Sequence, residues 1–455
     1  MKTLIYKPGL SDGSGGDLPH LGIGILAKEL AKQDYDVTIY DGHFKKIEDY
    51  QITELITKAD ILCLSLTSQE WDLEETQWVI DLAKAQNKVI LLGGPHAYGY
   101  WDILDQDERI DQIVVGEVDN QIKRTIIGKY GFKRNVARIG RAPKFESPDF
   151  SGMIGKEDIL GYPLYTSRGC TNLCNFCMGG KIHRGWRKRE LDKDFWEEVK
   201  GLKQFPKLKR VYLVDDCFSA DLDHAKHFLM SWFVNGYPDK YELKIMNVRA
   251  DQIDSELLSI MKMCKVEELP IGVESASPEV FNYIGKGETL EDIRKAITAI
   301  QSAGITPWLN MIVGLPHDNP ERHQVSLKWV LDVEGPKIVH WFQFAPFRNT
   351  NAYNWLLKQG VIEDGYIPKA YGRRYDEFPW YPEFGTEDFT VIQRARAQLE
   401  GYLMCGSPIV MNTPNLWKVS CELGLAKEYR HWEEIADIEG YTKKHLEFKK
   451  ERGQV

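Results

Sequence analysis

Along most of the chain, short β-rich runs alternate with stretches long enough for a helix, and this alternation narrows the possible folds more than any other feature. In the first third the runs are Thr3–Tyr6, Val37–Tyr40, Ile61–Leu66, Val89–Leu92 and Ile113–Val115. Between them Ile23, Leu26 and Leu30 share one helical face, and Val79, Leu82 and Ala83 share another. An α/β fold with a doubly wound, Rossmann-like parallel sheet is expected. Ligands of such sheets sit outside the carboxyl ends of the strands. Here those ends carry Gly13-Ser14-Gly15-Gly16, Ser65-Leu66-Thr67-Ser68, Gly93-Gly94-Pro95-His96 and Gly116-Glu117. Glycines admit a large ligand close to the backbone and hydroxyls can bond its amides or phosphate, although ordinary turns read the same way. No G-x-G-x-x-G opens the first helix, which weakens a nicotinamide or flavin reading.

A second alternation starts at Leu164 and continues through Val211–Val214, Leu243–Val248, Glu268–Val273, Pro307–Val313 and Ile338–Phe344. Helical stretches such as Ser255–Met263 and Leu290–Ala303 separate the runs, which makes six βα units and a partial (β/α)6, TIM-like barrel. Its carboxyl ends, where function collects in barrels, carry Asp215-Asp216, Asn247, Arg249, Glu274, Lys286 and Asn310. Residues 131–162, basic and then polar with Pro143 and Pro148, suit a surface linker.

Three of the eight cysteines cluster as Cys170-x₃-Cys174-x₂-Cys177. Three thiolates on one loop can hold three irons of a [4Fe–4S] cluster and leave the fourth open, whereas fully ligated clusters use four. A zinc site with His183 as fourth ligand is the alternative, with a spacing that fits common zinc modules poorly. Cys63, Cys264, Cys405 and Cys421 read as small buried hydrophobes, and Cys217 after Asp215-Asp216 is expected to pack in the same inert way. A net charge of −9, from 58 basic against 67 acidic residues, offers no general attraction to nucleic acid or anionic membranes. No apolar run spans a bilayer and the N-terminus has no signal-peptide pattern, so a cytoplasmic protein is expected.

The cysteine array, with Phe176 before the last cysteine and a barrel pattern after it, resembles the radical S-adenosylmethionine (SAM) superfamily. Leu18-Pro19-His20-Leu21-Gly22, Leu91-Leu92-Gly93-Gly94-Pro95-His96 and Val114-Val115-Gly116-Glu117 resemble the cobalamin-binding domain that precedes the barrel in many of these enzymes. The resemblance implies that Cys170, Cys174 and Cys177 hold the cluster. It implies that Asp216, Asn247, Arg249, Glu274, Lys286 and Asn310 contact SAM, with Arg249 and Lys286 on its carboxylate and Glu274 and Asn310 on its ribose or amino group. Cobalamin is then expected near Ser65, Thr67, Gly93, Gly94, Gly116 and Glu117. The His-on motif D-x-H-x-x-G matches neither Asp17-x-x-His20 nor Asp41-Gly42-His43, so cobalamin without a histidine ligand is expected, His20 being the alternative.

The domains expected are a cobalamin domain at 1–135, a linker at 136–162, the barrel at 163–345 and a smaller, mainly helical substrate cap at 346–455. Aromatic residues from Tyr366 to Phe384, interleaved with prolines, would line a recognition surface or fill a small satellite core. The tail from Tyr441 reads as a solvated helix end. By resemblance, the activity is C-methyl transfer from methylcobalamin to an unactivated carbon after hydrogen abstraction by the 5′-deoxyadenosyl radical. The cofactor carries the difficult step, so no acid, base or nucleophile of the chain is required as a catalytic residue. The same cofactor domains also serve ring closure or rearrangement without methyl transfer, and a cobalamin or redox sensor is a third reading. Substrates left open are a small molecule, a lipid, or a peptide or protein side chain, with flavodoxin or ferredoxin as electron donor.

Overall fold

The structure, a computed structural model, describes residues 1–9, 18–120, 135–368 and 382–405. Six strands form the first sheet: β1 (Lys2–Lys7), β2 (Asp36–Asp41), β3 (Ile61–Ser65), β4 (Val89–Gly93), β5 (Gln112–Val115) and β6 (Asn135–Arg138). All neighbours pair in parallel, in the order β2-β1-β3-β4-β5-β6. Helices α1 (Leu21–Ala31), α2 (Asp49–Lys58), α3 (Glu74–Ala85) and α4 (Pro95–Leu104) connect the first five strands. Successive strand residues point to opposite faces, and both faces are buried: Ile5 packs with Ile23 and Leu30 of α1, while Leu4 and Tyr6 pack with Ile52, Ile56 and Val79 of α2 and α3. This is why the strands read as continuous apolar runs.

The stretch expected as a linker is a packed connection. Residues Asn135–Arg138 form β6 on the sheet edge, Met153 bridges Ile39 of β2, and Phe150 joins the core that runs into the barrel. A Cβ at Gly24 of α1 would meet the Phe150 ring and Pro148 at 2.6 Å, so glycine there permits the close approach.

In the second half β7 (Gly161–Leu164), a short antiparallel pair β8 (Ser167–Arg168) and β9 (Arg187–Lys188), β10 (Arg210–Leu213), β11 (Glu242–Ile245), β12 (Glu268–Glu274), β13 (Thr306–Val313) and β14 (Ile338–Gln343) follow. Two parallel three-stranded sheets, β11-β10-β7 and β12-β13-β14, meet through a parallel bridge between Val248 and Ile271. Together they make the six-stranded partial barrel. The strand expected to begin at Leu164 ends there, and β11 stops at Ile245 because Val248 keeps only a single bridge.

The connecting helices are α5 (Gly179–Ile182), α6 (Lys193–Gly201), α7 (Leu222–Val234), α8 (Ser255–Met263), α9 (Pro278–Ile284), α10 (Leu290–Ser302) and α11 (Pro320–Leu331). Side-chain oxygens of Asp192, Asp221, Asp254, Thr289 and Asn319 accept the main-chain N–H groups that begin α6, α7, α8, α10 and α11, which sets where each helix starts.

After the barrel come α12 (Asn351–Lys358) and α13 (Val391–Cys405). The open edge of β14 is covered by α13: Gln398 and Tyr402 both donate to the Trp341 carbonyl, at 2.5 and 2.8 Å. Side chains thus satisfy a strand edge that would otherwise invite another chain. Most of the aromatic segment, including Trp380 and Tyr381, lies outside the described residues, as do Gly13 to Gly16, Asp17, Cys421 and the tail from Tyr441.

Candidate active site at the cysteine loop

The cysteine loop projects from the barrel between β8 and β9, whose pairing of Ser167 with Lys188 and Arg168 with Arg187 closes it at its base. Gly169 sits at φ +85°, and a Cβ there would meet the Gly185 carbonyl at 2.1 Å, so only glycine lets the two legs approach. The Gly169 N–H donates to Asp216 at 2.7 Å, the Asn175 N–H donates to the Ile284 carbonyl at 2.9 Å, and Asn172 donates its side-chain amide to the Lys286 carbonyl.

On this frame Cys170 and Cys174 are partly buried and Cys177 is exposed. The Asn172 N–H points to Cys170 Sγ at 3.5 Å and the Gly179 N–H to Cys177 Sγ at 3.3 Å. Main-chain donors favour thiolates, which suits the donor set to an iron–sulfur cluster. Burial pushes Cys174 up to about 12 against the pull of the Lys286 charge, and pushes Cys177 upward as well. The alternative zinc ligand turns away: His183 Nδ1 lies 2.9 Å from Glu117 Oε1 and Nε2 lies 3.7 Å from Asp216 Oδ2. Among the described residues no three His, Cys, Asp or Glu side chains converge to hold one metal ion.

The SAM candidates gather beside this loop. Asp216 holds Gly169, while Asn247 donates to the Asp215 carbonyl at 3.1 Å. Arg249 grips Asp251 through Nε at 2.9 Å and Nη2 at 2.7 Å, and gives Nη1 to the Lys286 carbonyl at 2.8 Å. Lys286 is 9% exposed, bonds Glu288 at 2.8 Å and stands 3.6 Å from Glu274. Glu274 adopts φ +65° at a bulge of β12, an uncommon backbone for a non-glycine residue, and burial pushes its carboxyl pKa upward against the Lys286 charge. Glu288 Oε2 is buried with no hydrogen-bond partner, an orphaned acceptor of the kind an ammonium donor satisfies. Asn310 stands on β13 in register with Gly272 of β12 and His340 of β14.

The cobalamin candidates occupy the carboxyl ends of β3, β4 and β5. Ser65 ends β3 opposite Gly93, and the Thr67 N–H donates to Glu70 at 2.6 Å in a capping box. Gly94 and Gly116 have φ of +90° and +128°, and a Cβ at either would strike the Leu66 or Ile139 backbone, so the chain's own packing already requires them. A Cβ at Gly93 would meet nothing nearer than 3.7 Å. Glu117 is buried and its carboxylate faces the barrel: it bonds His183 and Arg187 through Oε1 and the Ala142 N–H through Oε2. Beside it Arg168 makes a two-pronged pair with Asp119 at 2.9 and 3.0 Å. The ends of the first sheet and the cysteine loop are therefore tied directly to each other.

Family models match two parts of the chain: the B12 binding domain over residues 10–124 and the radical SAM superfamily over residues 164–330. The chain carries a B12-binding domain and a radical SAM domain. An uncharacterized methyltransferase of Pyrococcus horikoshii is 23% identical, with 76% of this chain and 80% of the relative covered. An anaerobic magnesium-protoporphyrin IX monomethyl ester cyclase of Rubrivivax gelatinosus is 25% identical over 78% and 70%. Two solved structures share the fold: the radical SAM methyltransferase TsrM of Kitasatospora setae, at TM-score 0.64 and 14% identity over 79% of this chain and 76% of that one, and the cobalamin-dependent SAM radical enzyme OxsB, at 0.66 and 16% over 94% and 71%. The radical SAM domain implies a [4Fe–4S] cluster and SAM, and the B12-binding domain implies cobalamin. Among the described residues no helix is long and apolar enough to cross a membrane.

Two features of this chain escaped the sequence reading. In the B12-binding domain, at the carboxyl ends of the neighbouring strands β1 and β3, buried Lys7 bonds Glu70 at 2.6 and 2.8 Å, Glu70 meets His43 Nε2 at 2.9 Å, and Asp41 meets His20 Nδ1 at 2.9 Å. With Nδ1 facing a carboxylate, Nε2 is the His20 nitrogen left to bond elsewhere. The second feature is the surroundings of Cys217, which is buried as its packing role requires and points its S–H to Gln252 Oε1 at 3.9 Å.

These groups set an acid dependence. Burial alone would raise Asp41, Glu70 and Glu117, but His20 beside Asp41, Lys7 and His43 beside Glu70, and His183, Ala142 N–H and Arg168 beside Glu117 hold each at about 2. Folded values below the ordinary range of about 4 stabilise the protein above that range, and the contribution is lost as pH falls toward 2. Burial instead lifts Asp215 and Asp318 to about 6, so the folded state gains protons between about pH 6 and 4 and these two favour folding as pH drops. Burial also holds His96 at about 3 and His323 and His340 at about 4, so the unfolded chain takes up protons there below about pH 6.5 and these three oppose folding as pH drops. Three histidines outweigh two carboxyls, so the melting temperature is expected to fall from pH 7 to 5 and more steeply below about pH 4. A melting series at fixed salt checks this, and a melting temperature that rises from pH 7 to 5 would contradict it.

Proposed function

We propose that the chain is a cobalamin-dependent radical SAM C-methyltransferase that places a methyl group on an unactivated carbon, with peptide or protein side chains among its candidate substrates. The observation that carries the reading is the direct tie of the B12-binding sheet ends to the cysteine loop through Glu117, His183, Arg187, Arg168 and Asp119. Such a tie holds two cofactor sites at one fixed separation, as transfer between them requires. When bound, the cluster with SAM supplies radical chemistry and cobalamin supplies the methyl group.

In this reading Cys170, Cys174 and Cys177 hold the cluster. Lys286 and Arg249 orient the SAM carboxylate, Glu274 and Asn310 its ribose or amino group, and Asp216 and Asn247 keep the loop and β11 end in place. Ser65, Thr67, Gly93, Gly94 and Gly116 border the cobalamin tail, and Glu117 acts from the domain junction. The domain limits proposed are 1–135, 136–162, 163–345 and 346–455. The electron donor proposed is a flavodoxin or ferredoxin.

The named cyclase relative supports a second reading, ring closure without methyl transfer. Anaerobic reconstituted protein with cobalamin, a reductant and SAM carrying a ¹³C-methyl separates the two by mass spectrometry. Methyl transfer requires labelled methylcobalamin and S-adenosylhomocysteine beside 5′-deoxyadenosine. Deoxyadenosine with no S-adenosylhomocysteine would favour ring closure.

A further inference from the structure

We propose that Arg394 is an anion-binding residue at the mouth of the barrel and that the substrate of this protein carries a carboxylate held there. The proposal rests on the reading of the barrel mouth as the place where substrate meets the radical. Arg394 lies in the first turn of α13 and is 2% exposed. Its guanidinium rests against the end of β13: a Cβ on Gly314, whose φ is +83°, would meet Nη1, Cζ and Nε at 2.7, 2.8 and 3.0 Å. Glycine is what gives the cation room there. The Phe384 ring lies 4.7 Å from Cζ and the Phe389 ring 5.6 Å. Phe384 packs on Phe344, one residue past β14, at 6.2 Å, and belongs to the apolar cluster against which Cys174 and Phe176 pack. The cation and the cysteine loop therefore border one apolar cluster.

Buried charges are ordinarily paired, because lost hydration has to be replaced. Here Nε donates to the Phe389 carbonyl at 3.0 Å, and among the described residues neither Nη atom has an acceptor and no carboxylate oxygen comes within 4.0 Å of the guanidinium. Asp318 is the acidic group whose charge reaches it, but that carboxylate accepts the main-chain N–H of Gly314 at 2.8 Å and of Asn319 at 3.0 Å. Burial lifts Asp318 to about 6 and lowers Arg394 from its ordinary 12.5 to about 10, so neither charge offsets the desolvation of the other. The ring nitrogens of His340 are sealed from solvent without a partner, whereas the two Nη atoms of Arg394 are not sealed. An anion is what this edge lacks. Parallel N–H groups on it match the two oxygens of a carboxylate. One buried cation balances one negative charge, and a phosphate dianion would leave a charge unpaired beside phenyl rings. Those rings suit a carboxylate carried on an apolar or aromatic body.

The test is isothermal titration of the reconstituted protein with phenylacetate and with phenylacetamide, its uncharged isostere, in wild type, Arg394→Met and Arg394→Lys. Wild type should bind phenylacetate about tenfold or more tightly than phenylacetamide, the factor that one charge-assisted contact supplies. Arg394→Met should bind the two probes alike, and Arg394→Lys, which keeps the charge but loses the two-pronged edge, should keep part of the preference. Equal affinities in wild type, no phenylacetate binding to wild type, or a full preference in Arg394→Met would each overturn the proposal. If Arg394→Met does not fold, Arg394→Lys carries the test, and a preference unchanged from wild type overturns it. These titrations need no turnover. A protein that transfers no labelled methyl yet shows the Arg394-dependent preference loses the methyltransferase reading and keeps the carboxylate site, whereas methyl transfer without the preference overturns the site alone.

Discussion

Replacing Cys170, Cys174 and Cys177 together by Ala is expected to take bound iron from about four per chain to none and to abolish 5′-deoxyadenosine formation. The fold should survive, because the loop does not depend on a cluster for its path. Its base is closed by the β8–β9 pairing, its start is held by Asp216 on the Gly169 N–H, and its middle by Asn172 on the Lys286 carbonyl and Asn175 on the Ile284 carbonyl. None of these bonds uses a cysteine side chain. Circular dichroism of the triple variant should therefore match that of cluster-free wild type, while absorbance near 400 nm disappears. Anaerobically purified wild type that is colourless and carries zinc would refute the assignment, as would a triple variant that still cleaves SAM.

The two alternations were readable because each strand is buried on both faces. Leu4, Ile5 and Tyr6 all find apolar partners on one face of β1 or the other, so the run is continuous and stands out. Elements that carry too few residues for a period stayed hidden. Ser167–Arg168 and Arg187–Lys188 are two-residue strands of polar side chains, yet they frame the cysteine loop. The cysteine array announces itself by spacing, but the side chains around it are brought in from far along the chain. Lys7 meets Glu70 across 63 positions and Arg168 meets Asp119 across 49, and no local pattern encodes such a partner. Glu117 shows the difference between place and direction. Its position at the end of a strand was legible, whereas the turn of its carboxylate toward Arg187 and His183 follows from the barrel packed beside it. Cys217 is the same case, since the bond of its thiol to Gln252 depends on how the folded chain brings that residue to it.

Arg168→Met is expected to destabilise the protein by about 3–5 kcal/mol, the usual cost of removing one partner of a buried ion pair. Arg168 is 8% exposed and Asp119 is 2% exposed, and the guanidinium meets both carboxylate oxygens while lying 4.9 Å over the Phe145 ring. Without it, Asp119 is left charged in a place where water does not reach, and Glu117 loses a cation 3.6 Å away. Coulomb attraction alone does not make such a pair stabilising, because both charges were desolvated to form it. The argument therefore predicts an asymmetry: Arg168→Met with Asp119→Leu should be more stable than Arg168→Met alone, a sign that the orphaned carboxylate carries the penalty. Arg168→Lys keeps the charge but loses the two-pronged geometry and should fall between wild type and Arg168→Met. Because Arg168 precedes Gly169 and Cys170 directly, the same single variant should also release iron to a chelator faster than wild type. Chemical unfolding of the four proteins measures the stabilities, and an Arg168→Met protein as stable as wild type would show that the junction is not held by this pair.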